Sequence, residues 1–285
     1  MARLEPVPDE PAAVAELDDE RALVIADYHA GYEVGLRYER GVDVPSRADE
    51  RRTRLRSLLE RTAASRLIVL GDLMHAIGDP GGAERGELEV LFESLPDGVS
   101  VTLVRGNHDG AIEGWLGTGY DEPGDLENDN GDGNATVEGE LGGTPLQITD
   151  GSGVRLDGLG CCHGHTWPDR SVLEADIVCL GHEHPTVRLE DDVGGARVER
   201  VWLRGQLDPM PFRERDGEAY DGLPWLEGDA DPPEVVVVPA FNDLAGGTWT
   251  NRENQSFLAP FLPEALASTE SYLLDGTRLG PYRRV

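Results

Sequence analysis

Four apolar runs, residues 22–26, 67–70, 99–104 and 177–180, each stop on a short polar motif. A short run without polar alternation is the pattern of a strand buried on both faces, so each motif sits at the C-terminal end of a buried strand. The motifs are Asp27-Tyr28-His29, Gly71-Asp72-Leu73-Met74-His75, Gly106-Asn107-His108-Asp109 and Gly181-His182-Glu183-His184. A fifth, Cys161-Cys162-His163-Gly164-His165, lies between the last two. Together they hold all seven histidines of the chain, so histidine is reserved for chemistry rather than for core or surface positions.

Between the first two runs, Leu55, Leu58 and Leu59 recur at helical spacing among charged residues, which predicts an amphipathic helix over 46–65. A second helix is predicted over 83–95, where Leu88, Leu91, Phe92 and Leu95 share a face before Pro96 and Gly98 break the pattern. Strand and helix alternate, so the first half reads as βαβ. In the second half the candidates are mostly strands, at 145–149, 154–159, 186–189, 198–203 and 234–238. Two sheets packed face to face with helices outside follow from that order. Stretches 121–134 and 215–234, rich in Asp, Glu, Gly and Pro, read as solvated surface loops. The chain is accordingly read as one domain over 1–285, with its motif core at about 21–247.

Fifty-five Asp and Glu oppose 25 cations, all Arg because no Lys occurs, for a formal net charge of -30. The acids are spread along the chain rather than gathered in a tail, which fits solvation in molar salt better than an acidic face for a basic partner. At low salt such a surface repels polyanions. At molar ionic strength the Debye length falls to about 3 Å, and a nucleic-acid substrate is no longer excluded. The cysteines, Cys161, Cys162 and Cys179, are odd in number and two are adjacent, so they are expected to be reduced and buried. With no basic-then-apolar leader and no run near the roughly 20 apolar residues of a membrane span, a cytoplasmic protein without membrane contact is expected.

Asp27 and His29 are two apart, so an extended chain projects both from one strand end toward a common point. Asp72 can supply a carboxylate shared by two cations. Asn107, His108 and Asp109 pack an amide oxygen, an imidazole and a carboxylate into successive positions; a turn explains the Gly, Asn and Asp but not the His. His182 and His184 repeat the spacing with two imidazoles. Imidazole and carboxylate together suit borderline ions such as Mn, Fe, Zn or Ni.

In this order the five blocks resemble the calcineurin-like metallophosphoesterase superfamily, whose signature is Asp-x-His, Gly-Asp, Gly-Asn-His-Asp/Glu, a later His and Gly-His-x-His. The likeness is closer to the archaeal phosphoesterases related to the SbcD nuclease. It extends to Gly31-Tyr32-Glu33, Gly41-Val42-Asp43-Val44-Pro45, Pro185 after the last motif, and Pro239-Ala240-Phe241-Asn242. The resemblance implies an α/β (α+β) fold, a four-layer αββα sandwich of two mixed β-sheets flanked by helices, with two divalent cations, Mn foremost, at the strand ends. It implies one cation on Asp27, His29, Asp72 and His184 and a second on Asp72, Asn107, His163 and His182. His163 rather than His165 is the ligand in that pattern. His108 would assist the leaving group, with Asp109 fixing its orientation. His165, His75 and Arg105 are left as substrate contacts or supports of the ligands, and Glu33 and Asn242 as loop anchors.

The function expected is hydrolysis of phosphodiester bonds in DNA or RNA by metal-bridged hydroxide attack. Single-stranded or end-bearing nucleic acid, met in DNA repair or processing, is the expected substrate, with a helicase partner implied by family analogy. Two other readings compete: a phosphoesterase for small nucleotides or cyclic phosphodiesters, favoured because the sequence shows neither a basic stripe nor an aromatic platform for nucleic acid, and a non-catalytic metal-binding scaffold. The scaffold reading is weakened because every expected ligand and His108 are present.

Overall fold

The computed structural model describes residues 3–78, 81–110, 112, 136–191, 193–215, 217–252 and 255–285. The chain opens with strands β1 (Arg3–Pro6), β2 (Ala13–Glu16) and β3 (Arg21–Ile25), then helices α1 (Tyr32–Arg40) and α2 (Ala48–Thr62). Strand β4 (Arg66–Leu70), helix α3 (Gly82–Glu93) and strands β5 (Ser100–Val104), β6 (Thr136–Leu141) and β7 (Thr144–Thr149) follow. The second half comprises β8 (Val154–Leu156), β9 (Leu159–Cys162), α4 (Arg170–Leu173), β10 (Ile177–Leu180), β11 (Thr186–Glu190) and β12 (Ala196–Leu207). It ends with α5 (Met210–Arg213), α6 (Pro224–Glu227), β13 (Glu234–Val237), β14 (Leu266–Leu273) and β15 (Arg278–Pro281).

Among the described residues two mixed sheets form. The first runs β1-β2-β3-β4-β5-β7-β6, with the β3-β4, β4-β5 and β5-β7 pairs parallel. The second runs β15-β14-β12-β13-β10-β9-β8, with β11 hairpinned onto β12 and the β9-β10 and β10-β13 pairs parallel. Alternate side chains of each strand sort into separate cores, as a period of two requires. Ala22, Val24, Ala26, Ile68, Leu70 and Val104 of the first sheet meet Leu159, Cys161, Ile177, Cys179, Trp202, Val236 and Val238 of the second. The intervening Leu23, Ile25, Leu67, Val69, Val101 and Leu103 face Leu55, Leu58 and Leu59 of α2 and Leu88, Leu91 and Phe92 of α3. Val178, Leu180, Val235 and Val237 face outward on the second sheet, under Val172, Leu173, Phe212, Trp225 and Leu226 of the short helices. The four layers expected from the sequence are therefore present, and the strands carrying motifs are mostly apolar because both their faces are covered. The three cysteines are unpaired and buried, and burial pushes the Cys162 thiol up to about 12.

The stretch 215–234 differs from the solvated loop expected of it. Tyr220, Leu223, Trp225 and Leu226 within it are buried and complete the outer cover of the second sheet. Four apolar side chains spread over a polar segment outweigh its composition once one sheet face needs covering. The stretch 121–134 lies outside the described residues. The single strand expected over 154–159 is instead the hairpin β8-β9, turned by Asp157-Gly158, with Leu156 opposite Leu159. Asp-Gly is a strong hairpin signal, and Asp157 takes the left-handed conformation at φ 52°.

One buried ion-pair network joins the three long helices. Arg51 of α2 reaches Glu33 of α1 at 2.6 Å and Glu87 of α3 at 2.7 Å, and all three side chains are at most 7 % exposed. Glu33 also accepts the Arg47 backbone N–H, and Glu87 accepts the Gly31 N–H, so the network fixes the chain just after His29. Burial opposes ionisation of Glu33, but the Arg51 guanidinium and the Arg47 N–H outweigh it and hold its carboxyl below the ordinary range. The stability it contributes is thus complete above about pH 4.5 and is lost as pH falls through the lower folded value. Replacing Arg51 by Ala leaves two buried carboxylates without their cation. Urea unfolding of Arg51→Ala is expected to show a loss of about 3–5 kcal/mol at neutral pH, with less further loss on acidification than in the wild type.

Candidate metal centre

The parallel strands of both sheets end level with one another. Ile25 lies opposite Val69 and Leu70 opposite Val104, while in the other sheet Leu180 lies between Cys162 and Val237. The residues just beyond these ends therefore meet along one edge of the sandwich, the usual ligand position in parallel sheets. There the backbone turns sharply. Asp27, His29, Asp72, His182 and His184 all have φ between 43° and 68°, five of the nine non-glycine residues with positive φ among those described. That left-handed conformation costs of order 1 kcal/mol or more per residue and persists only where the surroundings impose it. Here it folds both ends of each Asp-x-His or His-x-His pair toward the same point.

The imposing contacts are hydrogen bonds. Asp27 N–H donates to the Gly71 carbonyl and His29 N–H to the Asp72 carbonyl, extending the β3-β4 ladder past the strands. Asn242, fully buried, donates its amide to the Tyr28 and His29 carbonyls. Glu84 accepts the His75 and Ala76 N–H groups. Gly106 lies so close to Asp72 that a Cβ there would fall on the carboxylate, which is why glycine precedes Asn107.

Among the described residues, three triads have their possible ligand atoms within 4.8 Å of one another, one of them His29, His75 and His108. The two that contain a carboxylate are Asp27, His29 and His184, and Asp72, His163 and His182. Asp72 stands between them: its Oδ1 is 3.4 Å from His163 Nε2, and its Oδ2 is 3.8 Å from His29 Nε2. Asn107 Oδ1 adds a neutral oxygen 3.2 Å from His163 Nε2, and Asp27 Oδ1 is 3.2 Å from His184 Nε2. Donors bound to one ion at about 2.1 Å sit roughly 3.0–3.4 Å apart, so the contacts of His163 with Asp72 and Asn107 and of His184 with Asp27 fit cation coordination, while the 3.8 Å between Asp72 and His29 is wider. His29, His163 and His184 each turn Nδ1 to a backbone carbonyl, of Met74, Leu70 and Gly246 respectively. That fixes the tautomer and leaves Nε2 as the free donor atom, the usual support of a metal-binding imidazole.

The charges agree with this. Burial pushes His29 down to about 3 and His182 down to about 4, so both are neutral and able to ligate. Burial also opposes charge on His163, but Asp72 and Asp27 override it and lift it to about 9. Burial works against ionisation of Asp27 and Asp72 too, yet the neighbouring histidines hold both below the ordinary range. Two buried carboxylates amid imidazoles and an amide oxygen make a donor set that fits two divalent cations.

His108 is placed differently. Its Nδ1 bonds the His75 carbonyl, and its Nε2 faces Asp72 Oδ2 at 3.8 Å from a ring 20 % exposed. The sequence reading gave Asp109 the task of orienting His108, but the orienting group is that carbonyl. Asp109, fully buried, accepts Met74 N–H at 3.0 Å and Gly106 N–H at 2.9 Å, pinning two motif loops together. His75 stacks on His108 with ring centroids 5.6 Å apart and also lies near His29, so it belongs to the wall of the site. His165 sits 5.3 Å from the His163 ring, with Nδ1 buried and without a hydrogen bond. The Arg105 carbonyl packs against Gly151, beside His165. Glu183 escaped the sequence reading: between two ligand candidates it is fully buried and accepts the Thr248 hydroxyl and the Leu258 and Ala259 N–H groups. A carboxylate flanked by two site histidines was the available signal.

The sequence profile of the calcineurin-like phosphoesterase family matches residues 20–208. Among solved structures, the nuclease MPE of Pseudomonas putida resembles this chain with TM-score 0.51 and 19% sequence identity, covering 97% of this chain and 100% of that one. That likeness is one of fold. No protein of curated function matches the sequence. Among the described residues, no helix is long and apolar enough to cross a membrane.

Replacing Asp109 by Asn forces an NH2 group against one of two N–H donors. Denaturant unfolding of Asp109→Asn is expected to show a loss of about 1–3 kcal/mol, with metal affinity reduced by the loosened loops.

Proposed function

The chain belongs to the calcineurin-like phosphoesterase family and is thereby a metal-dependent phosphoric ester hydrolase, and from that premise we propose that it is a binuclear phosphodiesterase of nuclease type. The observation that carries this reading is Asp72, whose two carboxylate oxygens face two separate imidazole groups. One cation would be held by Asp27, His29, Asp72 and His184, and the other by Asp72, Asn107, His163 and His182. Manganese is the ion we favour. A pair of such cations supplies an acidified water and neutralises the non-bridging phosphate oxygens.

The rest is done by the protein. Asp72 fixes the spacing of the two halves, and the backbone carbonyls behind His29, His163 and His184 hold the imidazoles in place. His108 keeps its Nδ1–H on the His75 carbonyl, which leaves Nε2 to face the departing oxygen; with both ring nitrogens protonated it can hand over the Nε2 proton and return to the neutral ring. Asp109 maintains the loop that presents Asn107 and His108. Supporting a polymeric substrate is the fold neighbour described as a nuclease. A net charge of -30 favours a second reading, a small soluble phosphodiester such as a cyclic nucleotide, because a polyanion is repelled until salt screens the surface.

The deciding assay is hydrolysis of bis(p-nitrophenyl) phosphate with Mn in molar KCl, followed by single-stranded DNA and RNA against cyclic dinucleotides. We expect turnover that EDTA abolishes and that His108→Asn lowers by about 10²-fold or more, with preference for the strands. Preference for cyclic dinucleotides would move the assignment to the small-ester reading. By mass spectrometry of the native protein, the wild type is expected to carry two Mn ions and Asp72→Ala fewer than one.

A further inference from the structure

Of the described tryptophans, Trp202 and Trp225 are buried and Trp167 is packed against Phe212 and Phe261, whereas Trp249 has 37 % of its surface open. Residues 248–250 run extended beside the last motif, with Thr248 and Thr250 buried and Trp249 turned outward. Thr248 donates its hydroxyl to Glu183 and its N–H to the Glu183 carbonyl. Thr250 N–H donates to the Thr186 carbonyl, and Asn251 exchanges hydrogen bonds with both backbone groups of Arg188. The same segment reaches the metal centre directly: the Gly246 carbonyl accepts from His184 Nδ1, and a Cβ on Gly247 would fall on the His184 carbonyl. Trp249 lies three positions after Gly246, a span of at most about 11 Å. Arg188 lies over the indole at 5.9 Å from its centroid and leaves the remainder of the ring open.

We propose that Trp249 is a stacking platform for an unpaired nucleic-acid base next to the scissile phosphate, an inference that rests on the nuclease reading above. An exposed, rigidly mounted indole beside a metal centre costs little entropy on binding and accepts any base, because every base has a π-face. The charge of the chain makes such a contact useful. With no Lys and a net charge of -30, phosphate neutralisation offers little affinity, and what it offers falls steeply with salt. Stacking carries no ionic partner and survives molar salt. The Glu183–Thr248 hydrogen bond then ties the base-binding position to the loop bearing His182 and His184, so that base and phosphate are held in one frame.

The test compares the Mn-loaded wild type, Trp249→Ala and Trp249→Phe on a single-stranded oligothymidylate and on an abasic strand of equal length, in molar KCl. The wild type is expected to prefer the base-bearing strand on the order of tenfold, expressed in KM rather than kcat. Trp249→Ala should bring the ratio close to one, and Trp249→Phe should restore most of it, which a purely structural role of the side chain would not do. An unchanged ratio in Trp249→Ala, or no preference in the wild type, overturns the stacking role while the nuclease reading stands. Failure of the wild type to cut either strand overturns both.

Discussion

Burying Asp27 and Asp72 side by side is the constraint to which the rest of this structure answers. Their side chains are at most 2 % exposed, and each disfavours ionisation of the other. A carboxylate taken out of water costs several kcal/mol unless its charge is met by a partner. Backbone N–H groups of His182 and His108 donate to Asp27 and Asp72 respectively, and the ionisable partners nearby include imidazoles, of which His163 and His184 are drawn toward the charged form, while His29 and His182 are driven to the neutral one. Protonated His163 and His184 would balance the two carboxylates, and the neutral His29 and His182 keep their ring lone pairs. A divalent cation can take the place of those two ring protons, and the same imidazoles and carboxylates then serve as its ligands.

Holding that pattern requires backbone conformations the residues would not choose. Five ligand candidates sit in the left-handed region, where Asp tolerates the conformation better than most residues and His is among those enriched there. What stabilises them lies outside the motifs. Asn242 comes from beyond the end of β13, Glu84 from α3, and the Glu33–Arg51–Glu87 network from the three helices covering the first sheet. Each donates to or accepts from a backbone group within a few residues of a ligand. The helices therefore do more than cover apolar strands; their buried charges fix the loops that carry the site.

This division explains what could be read from the sequence. The apolar runs ending at Ala26, Leu70, Val104 and Leu180 announced strands buried on both faces, and the motifs after them announced the site, because hydrophobic period and ligand spacing are local. The helices bearing Leu55–Leu58–Leu59 and Leu88–Leu91–Phe92 were legible for the same reason. Three kinds of feature were not. The strands β1, at the sheet edge, and β2 beside it are only four residues long, too short for a period to stand out, and α1 has a single buried side chain, Glu33, so it lacks the apolar stripe that betrays a helix. The buried apolar residues of 215–234 were masked by the acids around them. The roles of Glu183, and of Asp109 as a loop clamp instead of an imidazole partner, depend on contacts between residues up to 76 positions apart, which no local pattern encodes.

The acidic surface adds a separate restriction on recognition. Arg21, Arg37, Arg66, Arg204 and Arg278 each meet a carboxylate within hydrogen-bond distance, so these guanidinium groups are largely neutralised where they stand. Long-range attraction of an anionic substrate consequently has little to draw on, and surface ion pairs of this kind contribute about 1 kcal/mol or less to stability. Attraction for phosphate must come from the centre itself, at close range. A buried cation pair, as proposed for this centre, would act within a few ångströms and be little affected by salt that screens the exterior. On the stacking proposal, specificity for the rest of the substrate would fall to uncharged contacts at the rim such as the Trp249 indole, which work equally well at low and high ionic strength.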